Sequence, residues 1–175
     1  VPRSTGEPGR RPGRSDGVVA LTTWTVDRPA LGTRCRLRAY LPEPGQRSEE
    51  EPEEDLEDAG PDAVLDLLDD LDRAWGPGGE LEALARVPEG RRTELSWDTV
   101  LLLGRTEPPG LALDVPGHAA TRTGPVLLPD VETRHALAAE LLCCELMDAG
   151  ALAARVDVGA YRSSANRGIR AVFAD

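Results

Sequence analysis

The residues of this 175-residue chain whose types and placement could do chemistry are two histidines, three cysteines and a few residues at the ends of apolar runs. His118 follows Pro116-Gly117 in a predicted loop directly behind a short apolar run, residues 111–115, and loops behind strands often carry sites. The same position suits an ordinary surface histidine. His135 falls inside a helical pattern and is the weaker candidate. Asp114 stands at the end of the apolar run, where a carboxylate can meet a ligand's hydroxyl or amide, or serve as a turn or cap residue. Gly159 follows a second apolar strand, residues 151–158, and suits either a tight turn or a place where backbone approaches a phosphate. Cys35, Cys143 and Cys144 form no C-x-x-C pair, and with two histidines no tetrahedral metal spacing emerges. They read as small buried hydrophobes of a reducing, cytoplasmic compartment.

Several chemistries are excluded outright. All twenty basic residues are arginine, so Schiff-base and P-loop mechanisms have no lysine to use. No G-x-S-x-G, H-E-x-x-H or G-x-G-x-x-G occurs. Aromatic residues make up 3%, too few for stacked-base readers, and the net charge is -11. Fourteen acids against the single Arg47 in residues 43–72 hold that charge, which leaves the rest of the chain nearly balanced and without a basic stripe for nucleic acid. The acidic run reads as a solvated, self-repelling insertion, with a cation-binding or basic-partner patch as the alternative. The longest apolar runs are only a few residues, far short of the ~20 that span a bilayer.

These residues need elements to position them. Residues 1–17 are Arg, Gly, Pro and Ser without periodicity and are expected to form a disordered tail, with a single domain over 18–175 interrupted by an acidic disordered insertion at about 43–60. Cys35, Leu37 and Ala39 alternate with Arg34, Arg36 and Arg38, the pattern of a half-buried strand with an arginine ladder on its outer face. A break at residues 29–32 lets a strand pair turn. Val64, Leu67, Leu68, Leu71 and Trp75 give a helical stripe over 62–75, opened by Pro61 and Asp62. Further helices are predicted over 80–86, from a Ser96 cap to about 105, and over 132–148, with an irregular stretch from 116 to 130.

The order of these pieces resembles the FAD:protein FMN transferases, the ApbE family. Ala30-Leu31-Gly32-Thr33 before an alternating strand is similar to the family's A-L-G-T or M-G-T opening. Leu71-Asp72-Arg73 and then Gly79-Glu80-Leu81 resemble its L-D-R helix end and its S-R-F-x-x-x-S-E-L loop, and residues 93–103 resemble its V-S-P-E-L cap and helix. Leu113-Asp114-Val115-Pro116-Gly117-His118-Ala119-Ala120-Thr121 is similar to L-D-L-G-G-I-A-K-G, the flavin-contacting segment. Residues 137–150 and 153–161 resemble the D-R-A-A-E-L-L-x-x-x-G helix and the strand ending in G-G-D.

The resemblance implies an α+β fold, a single flavin transferase-like domain with helices packed on a mixed sheet and incomplete at the C-terminus. The strand at 35–39 should pair near that at 153–158, under the helices at 62–75 and 132–148. It implies FAD as substrate, held by Leu31, Gly32, Thr33, Asp114, Gly117, Ala119 and Gly159, with magnesium and an acceptor protein's threonine as partners. Departures fall on the chemistry. Ala120 stands where the family has Lys, Gly159-Ala160-Tyr161 replaces Gly-Gly-Asp, and Gly76-Pro77-Gly78-Gly79 reduces the S-R-F loop. The H-I-x-D-P and metal-holding A-D-A-x-x-T-A segments do not occur before Asp175. Arg122 or Arg134 could stand in for the lost cation. The expected function is therefore a divergent transferase with impaired or absent activity. The alternative is a non-catalytic interaction or remnant protein that uses the acidic insertion.

Overall fold

The alternating run around Cys35 forms β2 (Thr33–Pro42), which pairs antiparallel along its length with β1 (Leu21–Ala30). Cys35, Leu37 and Ala39 are wholly buried on one face, while Arg34, Arg36 and Arg38 stand exposed on the other. In this computed structural model, residues 20–43 and 61–165 are described. The tail expected at 1–17 and nearly all of the acidic insertion lie outside them. Glu43 is the exception, and its amide donates to the Ala20 carbonyl at 3.1 Å.

The rest of the chain runs through α1 (Pro61–Trp75), α2 (Glu80–Leu84), β3 (Arg92–Glu94), α3 (Trp97–Thr106), β4 (Leu111–Asp114), β5 (Ala119–Arg122), α4 (Val131–Asp148), β6 (Ala153–Val158) and β7 (Tyr161–Ala165). The class is α+β. Where a mixed sheet was expected, every described pairing is antiparallel, in a four-stranded sheet ordered β1-β2-β6-β7 and a three-stranded sheet ordered β3-β5-β4. Short turns join β1 to β2, β4 to β5 and β6 to β7, and a tight hairpin can only return antiparallel. The expected β2–β6 pairing is present, with Cys35 opposite Val158 and Ala39 opposite Ala154.

The two long helices lie where their stripes require. α4 packs on β6 and β7, and α1 packs against α4. Val64, Leu68, Leu71 and Trp75 from α1 join Leu137, Leu142 and Leu146 from α4 and Val156 and Val158 from β6 in one buried cluster, with Leu67 and Leu141 partly buried at its edge. Ser96 Oγ accepts from the Thr99 amide, the cap expected from the sequence, and α4 is capped by Asp130, whose Oδ1 accepts from the Thr133 amide at 2.7 Å.

Three strands were missed. Residues 119–122, expected to be irregular, form β5, and β3 and β7 were not foreseen. The cysteine reading also needs correction at one position, since Cys35 and Cys143 are buried but Cys144 is exposed. On the open face of the larger sheet, Asp27 pairs with both Arg34 and Arg36, and Asp157 with both Arg155 and Arg162. Arg38 lies directly opposite Arg155, a like-charge arrangement that costs stability.

Candidate functional site

The β1–β2 hairpin closes through the two-residue turn Leu31-Gly32, between paired Ala30 and Thr33. Both turn residues have positive φ, 57° and 70°, which matches the turn to the twist of the strands. Glycine adopts this conformation freely, and a Cβ on Gly32 would meet Pro77 Cγ at 2.9 Å. Leucine adopts it at a cost of about 1–2 kcal/mol. Three features hold Leu31 there: its side chain is in the core, its amide donates to Asp72 Oδ1 at 2.5 Å, and its carbonyl accepts from His135 Nε2 at 3.2 Å.

His135, the weaker histidine by sequence, is thus at the centre of the site. It is buried on α4, and a Cβ built on Gly159 would lie 2.9 Å from its Nδ1 and 3.2 Å from Thr33 Oγ1. Four of the sequence-predicted residues, Leu31, Gly32, Thr33 and Gly159, therefore meet around one imidazole. A signal for His135 was present, because it lies on the same helical stripe as Ala138, Ala139, Leu142 and Leu146 and so had to face inward.

Two hollows flank the turn. One, of about 170 Å³, is lined by Leu31, Gly32, Trp75, Pro77, Glu82, Val131, Arg134 and His135. The other is open, about 510 Å³, and runs along Pro29, Ala30, Gly32, Thr33 and Asp72. In the smaller, Arg134 Nη1 donates to the Trp75 carbonyl at 2.9 Å. Trp75 Nε1 and Arg134 Nε are buried without a hydrogen-bond partner. Both are donors, and a guanidinium on the first turns of an 18-residue helix adds to the positive end of its dipole. These donors suit an acceptor oxygen, next to a Glu82 carboxylate that is engaged by the Gly78 amide and Arg86.

The other predicted residues lie together elsewhere, on the β4–β5 hairpin. Asp114 Oδ2 accepts from Arg92 Nη1 at 2.6 Å, and Oδ1 accepts from the Gly117 amide at 3.1 Å. Arg92 first, then the Gly117 amide, holds the carboxyl below its usual range. A Cβ on Gly117 would meet Asp114 Oδ2 and Arg92 Nη2, so a larger residue there would have to push this ion pair aside. Ala119 is fully buried, and Ala120 is buried opposite Leu113 and Thr93. His118 is exposed with its ring 5.3 Å from that of Trp97, as a surface histidine would be. Arg122 is committed to the carbonyls of Ala85, Val87 and Gly124, which leaves Arg134 as the better-placed cation.

A further cavity of about 410 Å³ is lined by Asp70, Arg73, Glu80, Ser96, Trp97 and Asp98. Burial, then the charges of Asp70 and Glu80, pushes the Asp98 carboxyl above its usual range. Such a negative potential repels a phosphate-bearing ligand. Among the described residues no three His, Cys, Asp or Glu side chains converge in a way that could hold a metal ion. The described residues therefore offer no ready-made three-ligand cage for the magnesium that the sequence resemblance implies. No described helix is long and apolar enough to cross a membrane.

No family model matches the chain, and no curated protein sequence matches it either. Solved structures do. The apo flavinyl transferase ApbE of Pseudomonas stutzeri is similar over 83% of this chain and 56% of its own, at 14% identity and a TM-score of 0.53. The flavin transferase ApbE of Vibrio cholerae is similar over 80% of this chain and 58% of its own, also at 14% identity and a TM-score of 0.53. The chain thus has the fold of these flavin transferases and spans a little under three fifths of their length.

Proposed function

We propose that the chain binds a flavin nucleotide beside the β1–β2 turn, and that its transfer of FMN to a protein threonine is strongly reduced or absent. One observation carries the binding reading: the opening turn Leu31-Gly32-Thr33 and the closing Gly159 meet around His135, next to a hollow in which Arg134 is the cation. The flavin transferase fold supports the ligand class. Arg134 suits a phosphate, and Gly32, which lines both hollows, brings the backbone of the turn to their edge.

The reduced activity rests on charge. Cleaving a pyrophosphate loads phosphoryl oxygens with charge that positioned cations must stabilise. Position 120, lysine in the motif that this segment resembles, is a buried alanine.

Titrating the chain with FAD while following flavin fluorescence tests the binding. Saturable quenching is expected. Arg134→Ala should weaken it about 10- to 100-fold, the range of a hydrogen bond to a charged group. Asp114 lies on the separate β4–β5 hairpin, so Asp114→Ala reads the extent of the site: loss of binding would extend it to that hairpin, and binding unchanged by that substitution would remove Asp114 from the site. A chain that quenches nothing sinks the reading. Incubation with FAD, Mg2+ and an acceptor carrying a flavinylation sequence, followed by in-gel fluorescence, should give only background labelling.

A further inference from the structure

We infer that Asp72 and His135 are positioning residues that clamp the β1–β2 turn into its left-handed conformation and so hold the edge of the nucleotide cleft in a binding-ready shape. The ligand half of this inference rests on the flavin-nucleotide reading above. Leu31 is the anomaly that calls for it. A residue with a Cβ rarely occupies the first position of a two-residue hairpin turn at positive φ, where Asn, Asp or Gly is usual, and such conformations persist only where the surroundings over-determine them. Here both polar groups of the strained residue are taken by side chains from two different helices. Asp72 of α1 accepts from the amide, and His135 of α4 donates to the carbonyl. The carbonyl can only accept, so Nε2 must carry the proton.

The clamp is itself held. Asp72 lies on the last turn of α1, and a Cβ on Gly76 would meet its Oδ1 at 2.7 Å. The His135 ring is wedged between Leu31 and Gly159. Burying the Leu31 side chain offsets the strain but does not fix the direction of the peptide groups on either side, and Gly32 and Thr33 behind them line the open hollow where a ligand would lie. The clamp therefore acts on the backbone that meets the ligand.

Amide exchange at Leu31, read by NMR on the full chain, tests the clamp without any ligand. Asp72→Ala and His135→Leu should each lower its protection, whereas Asp72→Asn and His135→Gln keep the hydrogen-bonding atom and should preserve it. FAD titration then separates positioning from simple stability. His135→Leu should weaken binding about five- to thirtyfold, the factor that a backbone penalty of this size implies. In a Leu31→Gly background, where glycine needs no clamp, the same substitution should change it far less. Leu31 protection unchanged in both loss variants overturns the inference, as does an equal loss of binding in the two backgrounds. A parent chain that binds no FAD but loses Leu31 protection in both loss variants overturns the functional reading and still supports the clamp.

Discussion

Gly159→Ala is expected to destabilise the chain by about 2–5 kcal/mol and to abolish nucleotide binding. Two costs add. Gly159 has a φ of 55°, where an L-residue loses about 1–2 kcal/mol. Its new Cβ would also sit 2.9 Å from His135 Nδ1 and 3.2 Å from both His135 Cε1 and Thr33 Oγ1. The imidazole is buried and tied to the Leu31 carbonyl, so it cannot swing away without releasing the turn. Forcing an extra carbon into packed surroundings adds about 1–3 kcal/mol. Gly150→Ala isolates the first cost, because Gly150 also has positive φ, 91°, but nothing lies within 4 Å of its would-be Cβ. It should cost only the conformational part. Urea midpoints of the two variants decide the matter: an equal loss would mean that His135 gives way and that the β6–β7 turn is not packed against the site.

Much of this fold could be read from the sequence because its buried faces are periodic. The alternation through Arg34 to Ala39 gave β2 its register and its inward residues, and the Val64, Leu68, Leu71 stripe gave α1 its buried face. The strands that escaped have no such signal of their own. Arg92–Glu94 is three polar residues, Ala119–Arg122 has only two buried positions, and Tyr161–Ala165 shows no buried residue at all. Their strand conformation comes from the neighbours that they pair with, a tertiary effect that local pattern cannot carry.

The site divides in the same way. Gly32 and Gly159 were legible because positive φ favours a residue without a Cβ, and glycine announces itself. Leu31 does not announce its strain, since a leucine in an apolar stretch looks like core and here also is core. The role of Asp72 depends on a partner 41 positions away, and that of His135 on one 104 away. Conversely, Asp114 drew attention as an acid at a strand end, and the structure gives both of its oxygens to Arg92 and Gly117 within its own hairpin neighbourhood. Binding there requires the ligand to join or displace that ion pair.

The β1–β2 hairpin carries a pH dependence that can be measured directly: between about pH 9 and pH 11 the chain should lose about 2–3 kcal/mol of stability that Cys35→Ala does not lose. Cys35 is wholly buried in β2, with its thiol 3.6 Å from the Ala30 carbonyl at the entrance to the Leu31-Gly32 turn. Burial, reinforced by the negative charge of Asp72 and only partly offset by Arg28, raises the thiol from 9.0 to about 11. Because the folded value is the higher one, the contribution is fully present below pH 9. Above that the unfolded chain ionises its thiol and gains stability, while the folded chain still holds the proton. The difference grows until the pH passes the folded value near 11, and a shift of this size corresponds to about 3 kcal/mol. The remaining ionisable groups are common to both proteins, so subtracting the two stability profiles isolates Cys35. Cys35→Ala starts from a lower stability, since it removes a buried sulfur, and its profile should converge on that of the parent as the pH rises. Urea denaturation at half-unit steps from pH 8 to pH 11.5 reads the convergence, and parallel profiles would mean that water reaches the thiol and that this end of the hairpin is open.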